Sequence, residues 1–439
     1  MDFIAQEVDY FFHYISEVGT SKLVRIFWFF VIFEFSRLFV IDFLALIFIF
    51  IKRKLTKKKR KEARRQLFLY NPLISIIVPG KNEGKHIFKL VSSLKEQTYK
   101  NYELIIVDDG SDDDTEQICK SLKKNNLIDV FIRNEVRGGK ASGANTALRV
   151  AKGDFVIHLD ADSSLDRDAI EQIITPFYEN PEVGAVGGNV MVRNYKETLA
   201  TTLQSYEYND AISIGRMVAS YLGVYRIISG AFGAFRRDAL EQVQGWDIGP
   251  GLDGDITVKM RKVGYKVVFE DRAVCQTNVP NSFKKLTKQR LRWDKSLIRF
   301  RLRKHKDVFI PDENFSILNF LSFLENIFFT IILNIKWYIY IIDVVINFPG
   351  ILGMVLVMNF FLYSCSNAFK LLLFNFFRER KNSPIYIYFP FIPLMVIYHG
   401  YYLRIVRTVA YIKELFFKSS YKDEWNPEKT SIRAKQIGI

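Results

Sequence analysis

Cysteine is scarce in this chain, and its placement excludes two kinds of protein. The three present, Cys119, Cys275 and Cys365, lie far apart without CxxC spacing. Neither a disulfide framework nor a thiolate zinc site is therefore expected, and buried reduced thiols are. Internal repeats are lacking, and low-complexity sequence is confined to one basic run. A removable signal peptide is lacking too, because the first apolar stretch is too long and has too little of a small-residue cleavage site. What the sequence holds in excess is apolar surface: 49% hydrophobic and 15% aromatic residues, with 39 phenylalanines, a heavy load for a soluble protein. At 439 residues it also exceeds the size at which one core usually stops growing. At least two structural regions are expected, one of them in a membrane.

A net charge of +15 suggests nucleic acid until it is mapped. "KRKLTKKKRKEARR", Lys52 to Arg65, holds ten Lys/Arg against one Glu and supplies most of the excess. Basicity this local argues against a nucleic-acid partner and fits attraction to an anionic lipid bilayer. The run follows directly on the apolar stretch from Phe27 to Ile51, long enough to cross about 30 Å of hydrocarbon as a helix. Lys and Arg beside a span mark its cytoplasmic side. Residues 1–51 are thus expected as a membrane anchor, 52–70 as a basic juxtamembrane linker and 71–280 as the catalytic domain. Residues 281–314 are expected as amphipathic interfacial helices, 315–413 as a C-terminal transmembrane region and 414–439 as a basic tail. The last third offers apolar segments at 315–348, 351–374 and 385–403. Basic residues at "RERK" (378–381) and after Arg404 both read as cytoplasmic, which three full crossings from a cytoplasmic domain do not satisfy. One segment is therefore expected to lie at the interface or to form a hairpin.

The middle region alternates short β-branched runs, at 74–79, 102–111, 129–134, 154–163, 183–192 and 265–271, with helix-length polar pieces such as Lys85–Gln97. That rhythm predicts an α/β fold with a mixed, mostly parallel sheet. In such sheets ligands bind beyond the carboxyl ends of the strands. Two runs end in paired acids: "VDDGS" places Asp108 and Asp109, and "LDADS" places Asp160 and Asp162. In an extended chain residues two apart share a face, so Asp160 and Asp162 could approach one centre. Carboxylates that close repel unless a cation sits between them, and hard oxygen ligands suit Mg2+ or Mn2+ on a diphosphate. Alone, the pair reads better as a turn cap.

Further motifs shift the balance. Pro79, Asn82 and Glu83 follow the first strand, and Lys140 follows Gly138 and Gly139. "GLDGD" carries Asp253 and Asp255, and "KQRLRW" carries Gln289, Arg290, Arg292 and Trp293. Chemically this is a set for a nucleotide-sugar. Carboxylates serve base, ribose and metal; Lys140, Arg290 and Arg292 suit the diphosphate; Trp293 offers an apolar face to a pyranose.

In order and spacing, "DDGS", "GGKA", "DAD" and "QRLRW" resemble the family 2 glycosyltransferases of GT-A fold, and within them the membrane-embedded processive synthases of cellulose, chitin, hyaluronan and poly-N-acetylglucosamine. The resemblance covers Ile74 to roughly Trp293. It implies a Rossmann-like GT-A domain in the cytoplasm, flanked by transmembrane helices of a multi-pass cell-membrane protein. It also implies inverting transfer from a UDP-sugar to a growing polysaccharide, with export or regulatory subunits as further partners. By that resemblance Pro79, Asn82, Glu83, Asp108, Asp109, Lys140 and Asp160 hold the donor, and Asp162 with Asp160 holds the metal. Asp253 or Asp255 is the general base, and Gln289, Arg290, Arg292 and Trp293 meet the acceptor end and the diphosphate. Two departures stand out: Leu252 precedes Asp253 where the family usually has an acid, and Lys81 stands where many relatives have an aromatic. "GNVMVRN" (188–194) is similar to a stretch of the poly-N-acetylglucosamine and chitin branch.

Two rival functions are a single-transfer enzyme acting on a lipid carrier and an inert glycan-binding scaffold, the latter argued from Leu252. "QRLRW" between membrane segments favours the polymerase, and retention of Asp162, Asp253 and Gln289 speaks against the scaffold. Glu34, Arg37, Asp42, Glu325, Lys336 and Asp343 fall at membrane depth, where ionisable groups usually pair or line a polar path. Glu34 and Arg37 are spaced for an ion pair on one helix face; the functional alternative is a path for the nascent polysaccharide.

Overall fold

The β-branched runs of the middle region become strands of a single sheet in this computed structural model, which describes residues 2–17, 19–247, 251–311, 316–379, 385–422 and 427–436. The strands are β1 Ile74–Gly80, β2 Tyr102–Asp108, β3 Val130–Arg133, β4 Phe155–Leu159, β5 Ser164–Leu165, β6 Val183–Val192, β7 Phe232–Arg236 and β8 Lys266–Thr277. Their order is β3-β2-β1-β4-β7-β6-β8-β5. β3, β2, β1 and β4 run parallel, β7 is antiparallel to both β4 and β6, and β8 is parallel to β6. Six strands fall on the expected runs. β7 was not expected, because its Gly and Ala carry little strand propensity. The chain steps from β1 outward to β3 and returns to β4 on the other side of β1. That reversal opens a crevice at the carboxyl ends of β1, β2 and β4.

Both faces of the sheet are covered, which is why β1 and β2 read as continuous apolar runs rather than alternating ones. Helices used below are α1 Phe43–Tyr70, α2 Gly84–Lys95, α3 Lys140–Val150, α4 Ala169–Glu179, α5 Leu252–Lys262 and α6 Phe283–Leu297. Ile76, Val78 and Ile157 bury against Ile87, Leu90 and Val91 of α2. Ile77, Val107 and Val156 bury against Ala141, Ala144 and Ala147 of α3. The small residues on α3 let it lie close to the sheet. At Gly143 a Cβ would come within 2.9 Å of Pro79 Cβ.

The chain divides into two compact units, one of Lys52–Ser322 with Val409–Ile439, the other of Met1–Ile51 with Phe323–Thr408. In the first lie residues 52–70, expected as a basic juxtamembrane linker. They are helical, with Ala63 and Leu67 buried. Arg53 Nη2 donates to Asp271 at 2.6 Å, Arg60 donates to Glu270 at 2.7 Å and to Gln172 at 2.7 Å, and Arg64 lies 2.8 Å from Glu171. Part of the basic run is therefore neutralised by acids of the sheet edge and of α4. Lys57, Lys58 and Lys61 keep the exposed face.

In the second unit, Ile26, Phe27, Phe29, Tyr340, Val344, Met354 and Met358 share a core. Glu34 does not form the local pair with Arg37. It accepts from Lys370 Nζ at 2.5 Å and from Ser366 Oγ at 2.7 Å, while Arg37 lies 3.7 Å from Asp42. Asp343 accepts from Arg25 at 2.5 Å. Among the described residues three helical stretches are long and apolar enough to cross a membrane, Ile317–Asn347, Pro349–Phe377 and Ile385–Phe417. The segment 27–51 is not one of them, being interrupted by Glu34, Arg37 and Asp42. Phe315, Arg380 and Lys381, which enter the expected spans and "RERK", lie outside the described residues, as does part of the basic tail.

Candidate active site

The loops after β1 and β2 hold one another. Asn82, in the left-handed region with φ of 60°, accepts from the Asp112 N–H at 2.9 Å and donates its own N–H to Ser111 Oγ at 2.8 Å. Asp108 accepts from the Ser111 N–H at 2.9 Å and from its hydroxyl at 2.5 Å. Asp109 does something different. Its Oδ1 accepts from Gly138 N–H at 2.8 Å and Asn134 Nδ2 at 3.0 Å, and its Oδ2 accepts from Gly139 N–H at 2.7 Å. A carboxylate thus grips two successive backbone N–H groups, and Gly139, with φ of 86°, turns the chain into α3. This links "DDGS" to "GGKA" physically, because the grip sets where Lys140, the first residue of α3, begins.

Lys140 forms an ion pair with Asp160. Burial pulls the ammonium pKa down, but Asp160 and Asp253 together hold it above its ordinary value. Asp160 and Asp162 do not share a strand face as expected from an extended chain. β4 stops at Leu159, and Asp160 to Ser163 form a turn closed by Ser163 N–H to Asp160 O at 3.1 Å. Asp162 sits in that turn; burial and the neighbouring Asp160 push its carboxyl up to about 6, against a hydrogen bond with the Thr277 side chain. Glu83 is pushed up to about 8 by burial, Asp162 and Asp160, so it faces the paired aspartates as well as the donor loop. Arg193 of "GNVMVRN" fixes the turn from below: it donates to Asp162 O at 3.1 Å, Ser164 Oγ at 2.7 Å and Gln276 O at 2.6 Å.

Among the described residues no three His, Cys, Asp or Glu side chains form a metal cage. Yet Glu83 and Asp162 are raised first by burial and then by their acidic neighbours, with Lys140 as a counter-charge. An open set of hard oxygens short of positive charge fits Mg2+ or Mn2+ that takes its remaining ligands from a substrate.

Asp253 and Asp255, two residues apart at the start of α5, have opposite surroundings. Asp255 Oδ1 accepts from His305 Nε2 at 2.7 Å and its Oδ2 from Lys304 at 2.6 Å. Burial would raise its pKa, but these partners hold it below the usual carboxylate value. Asp253 is half-buried and packed against Gly230; desolvation raises its pKa, against the pull of Lys140. Leu252 packs into the core beside Ile256 and Met260, so an apolar residue there takes no carboxylate out of the crevice.

On α6, Ser282 caps the N-terminus. The Arg290 guanidinium is bound by Glu207 at 2.8 Å and stacks on Trp293, 4.4 Å from the ring centroid. Arg292 is near enough to Lys140 to weigh against its charge. Gln289 Oε1 is buried and finds no partner among the described residues, and Trp293 is 38% exposed. Sequence reasoning gave no role to His158 and marked Arg193 only as part of "GNVMVRN". His158 gave no signal, since an interior His has an ordinary packing explanation.

Residues 75–244 match the family described as Glycosyl transferase family 2. Poly-beta-1,6-N-acetyl-D-glucosamine synthase of Staphylococcus epidermidis is 36% identical over 222 residues, 50% of this chain and 53% of that one. The protein of the same name from Staphylococcus aureus (strain COL) is 33% identical over 222 residues, with the same coverage of 50% and 53%. The chain's match thus spans about half the length of these curated relatives. The solved mannosyltransferase PcManGT from Pyrobaculum calidifontis, in complex with GDP-Man and Mn2+, is alike in fold, with a TM-score of 0.54 at 21% identity over 86% of this chain and 99% of that one.

Proposed function

From a chain that carries a family 2 glycosyltransferase domain at residues 75–244, we propose a membrane-embedded, processive, inverting transferase that polymerises a sugar from a UDP-sugar and passes the product across the bilayer. N-acetylglucosamine is the sugar suggested by the names of the curated relatives. The observation that carries the reading is Asp253: a half-buried carboxylate raised in pKa, close to Lys140 and Asp160 and packed against Gly230.

In this mechanism the acceptor hydroxyl lies opposite the departing diphosphate, and Asp253 takes its proton as the sugar is transferred. A positioned base of this kind contributes about 10²–10⁴-fold, and its raised pKa makes it the more basic of the two candidates. Asp255, bound by Lys304 and His305, anchors α5 instead. Asp162 and Asp160, with Glu83 facing them, are the residues that would hold Mg2+ or Mn2+, which when bound supplies positive charge to the leaving diphosphate. Lys140 and Arg292 add fixed cations on the same side. Asn82, Asp108 and Asp109 shape the donor loops through their mutual hydrogen bonds. Trp293 gives the acceptor sugar an apolar face, and Gln289 an unmet acceptor. The basic tail and exposed lysines of α1 suit an anionic bilayer.

The test is to incubate purified protein with individual UDP-sugars and Mn2+, measure UDP release and size the product. A polymer from one donor is expected, and Asp162→Asn should abolish it without unfolding the protein. A single sugar on lipid would replace polymerisation with the lipid-carrier reading, and no release from any nucleotide-sugar would remove the enzymatic one.

A further inference from the structure

The Asp253 carboxylate is held from the segment 228–231, which leads into β7, and that segment is itself held by a residue of β4. The Asp253 carboxylate packs directly against Gly230, where a Cβ would come within 2.4 Å of its Oδ1, so glycine permits the approach. Thr257 makes a second tie: its hydroxyl donates to Asp253 O at 2.6 Å and accepts from the Ile228 N–H at 3.0 Å. On the other side of Gly230, its carbonyl lies 2.7 Å from His158 Nδ1. A carbonyl can only accept, so Nδ1 carries the proton and Nε2 does not. Nε2 is buried and has no partner among the described residues. The ring lies against Trp246, at 5.4 Å between centroids. Trp246 is pinned in turn by both amide groups of Asn145, at 2.7 and 2.9 Å. The imidazole is therefore fixed with its single donor aimed at Gly230.

We infer that His158 is a positioning residue for the base: its Nδ1–H fixes the Gly230 unit against which the Asp253 carboxylate packs, and so sets where that carboxylate lies relative to the acceptor hydroxyl. The inference rests on the reading of Asp253 as the base. The neighbouring Ala231 carbonyl accepts weakly from Ser163 Oγ at 3.4 Å, so the segment that aims the base also touches the Asp160–Ser163 turn. His158 lies two residues before Asp160 on the strand that feeds this turn. One buried side chain thereby sets the spacing between the two halves of the site. An apolar residue at 158 could fill similar volume, but it would leave the buried Gly230 carbonyl without a donor and free to rotate.

The experiment compares His158→Leu, His158→Asn and His158→Gln in detergent-purified full-length protein. An Asn amide can place a donor near the Nδ1 position, whereas a Gln amide reaches one methylene further. The expected result is kcat lowered about 10–100-fold in His158→Leu and His158→Gln, an unchanged donor KM, and His158→Asn within about 3-fold of the parent. Amide hydrogen exchange at Gly230, read by mass spectrometry, should quicken in Leu and Gln but not in Asn; this readout needs no turnover. Parental kcat in His158→Gln, equal losses in Asn and Gln, or a donor KM rising in step with the fall in kcat would overturn the inference. Should His158→Leu fail to fold, the Asn and Gln pair alone decides it. Absence of UDP release from the parent protein would instead count against the enzymatic reading, with Gly230 exchange still reporting on His158.

Discussion

Asp253 and Asp255 offer the sharpest contrast, because two like carboxylates two residues apart should fail in opposite ways. In Asp255→Asn the amide oxygen can still accept from His305, but the ionic contact to Lys304 at 2.6 Å is lost. Leaving a buried charge without its partner costs about 3–5 kcal/mol. Lys304 keeps Asp247 at 2.5 Å, so the expected loss is at or just below the bottom of that range, about 2–3 kcal/mol. The folded pKa of Asp255 is depressed, so its stabilisation is present above the ordinary carboxylate value of about 3.9 and fades as pH falls through the folded value. The difference from the parent should therefore close in acid. Asp253→Asn behaves in reverse. Its amide can occupy the same place beside Gly230, and removing a carboxylate whose folded pKa is raised relieves a cost paid at pH 7, so stability should hold or rise. Activity should fall about 10²–10⁴-fold. Denaturant unfolding followed by tryptophan fluorescence gives the first quantity, and UDP release per folded protein gives the second. An Asp255→Asn variant as stable as the parent but inactive, or an Asp253→Asn variant retaining more than about a tenth of activity, would refute the division of roles.

Three further outcomes are expected. The acidic limb of kcat/KM against pH should lie above the ordinary aspartate value of about 3.9, since burial raises Asp253, and should disappear from the residual rate of Asp253→Asn; a pH-rate titration checks it. Gly230→Ala should lower kcat more than about 10-fold, because its Cβ overlaps the Asp253 carboxylate, with the product profile and UDP release as readouts. Arg60→Ala should loosen α1, since it breaks the contacts to Glu270 and Gln172 at 2.7 Å. Limited proteolysis within residues 52–70 should quicken, while Lys58→Ala on the exposed face should leave it unchanged.

Much of the fold was legible because buried parallel strands advertise themselves as β-branched runs: Ile74–Gly80 and Tyr102–Asp108 needed no tertiary information. β7 was not legible, because its Gly233 and Ala234 are dictated by neighbours rather than by propensity; a Cβ at Gly233 would run into Ile228. The motifs marked the carboxylates without showing what each one holds. Asp109 was expected at the donor, and the structure adds that it grips two backbone N–H groups of the Lys140 loop. The basic run read as a juxtamembrane linker facing anionic lipid, and charge alone does not reveal that Arg53, Arg60 and Arg64 meet Asp271, Glu270 and Glu171 across the fold.

What the sequence determined by itself was the kind of residue available and the place of each along the chain: acids ending strands, glycines before Lys140, a cation–aromatic pair on α6. Hydrophobic periodicity and turn chemistry are local, so they survive without knowledge of the partners. The tertiary structure alone set the two acids of α5 apart in charge and surroundings. That difference depends on burial and on the charges within a few ångströms, and for Asp253 and Asp255 those come from Gly230, Lys140, Lys304 and His305, residues far away along the chain.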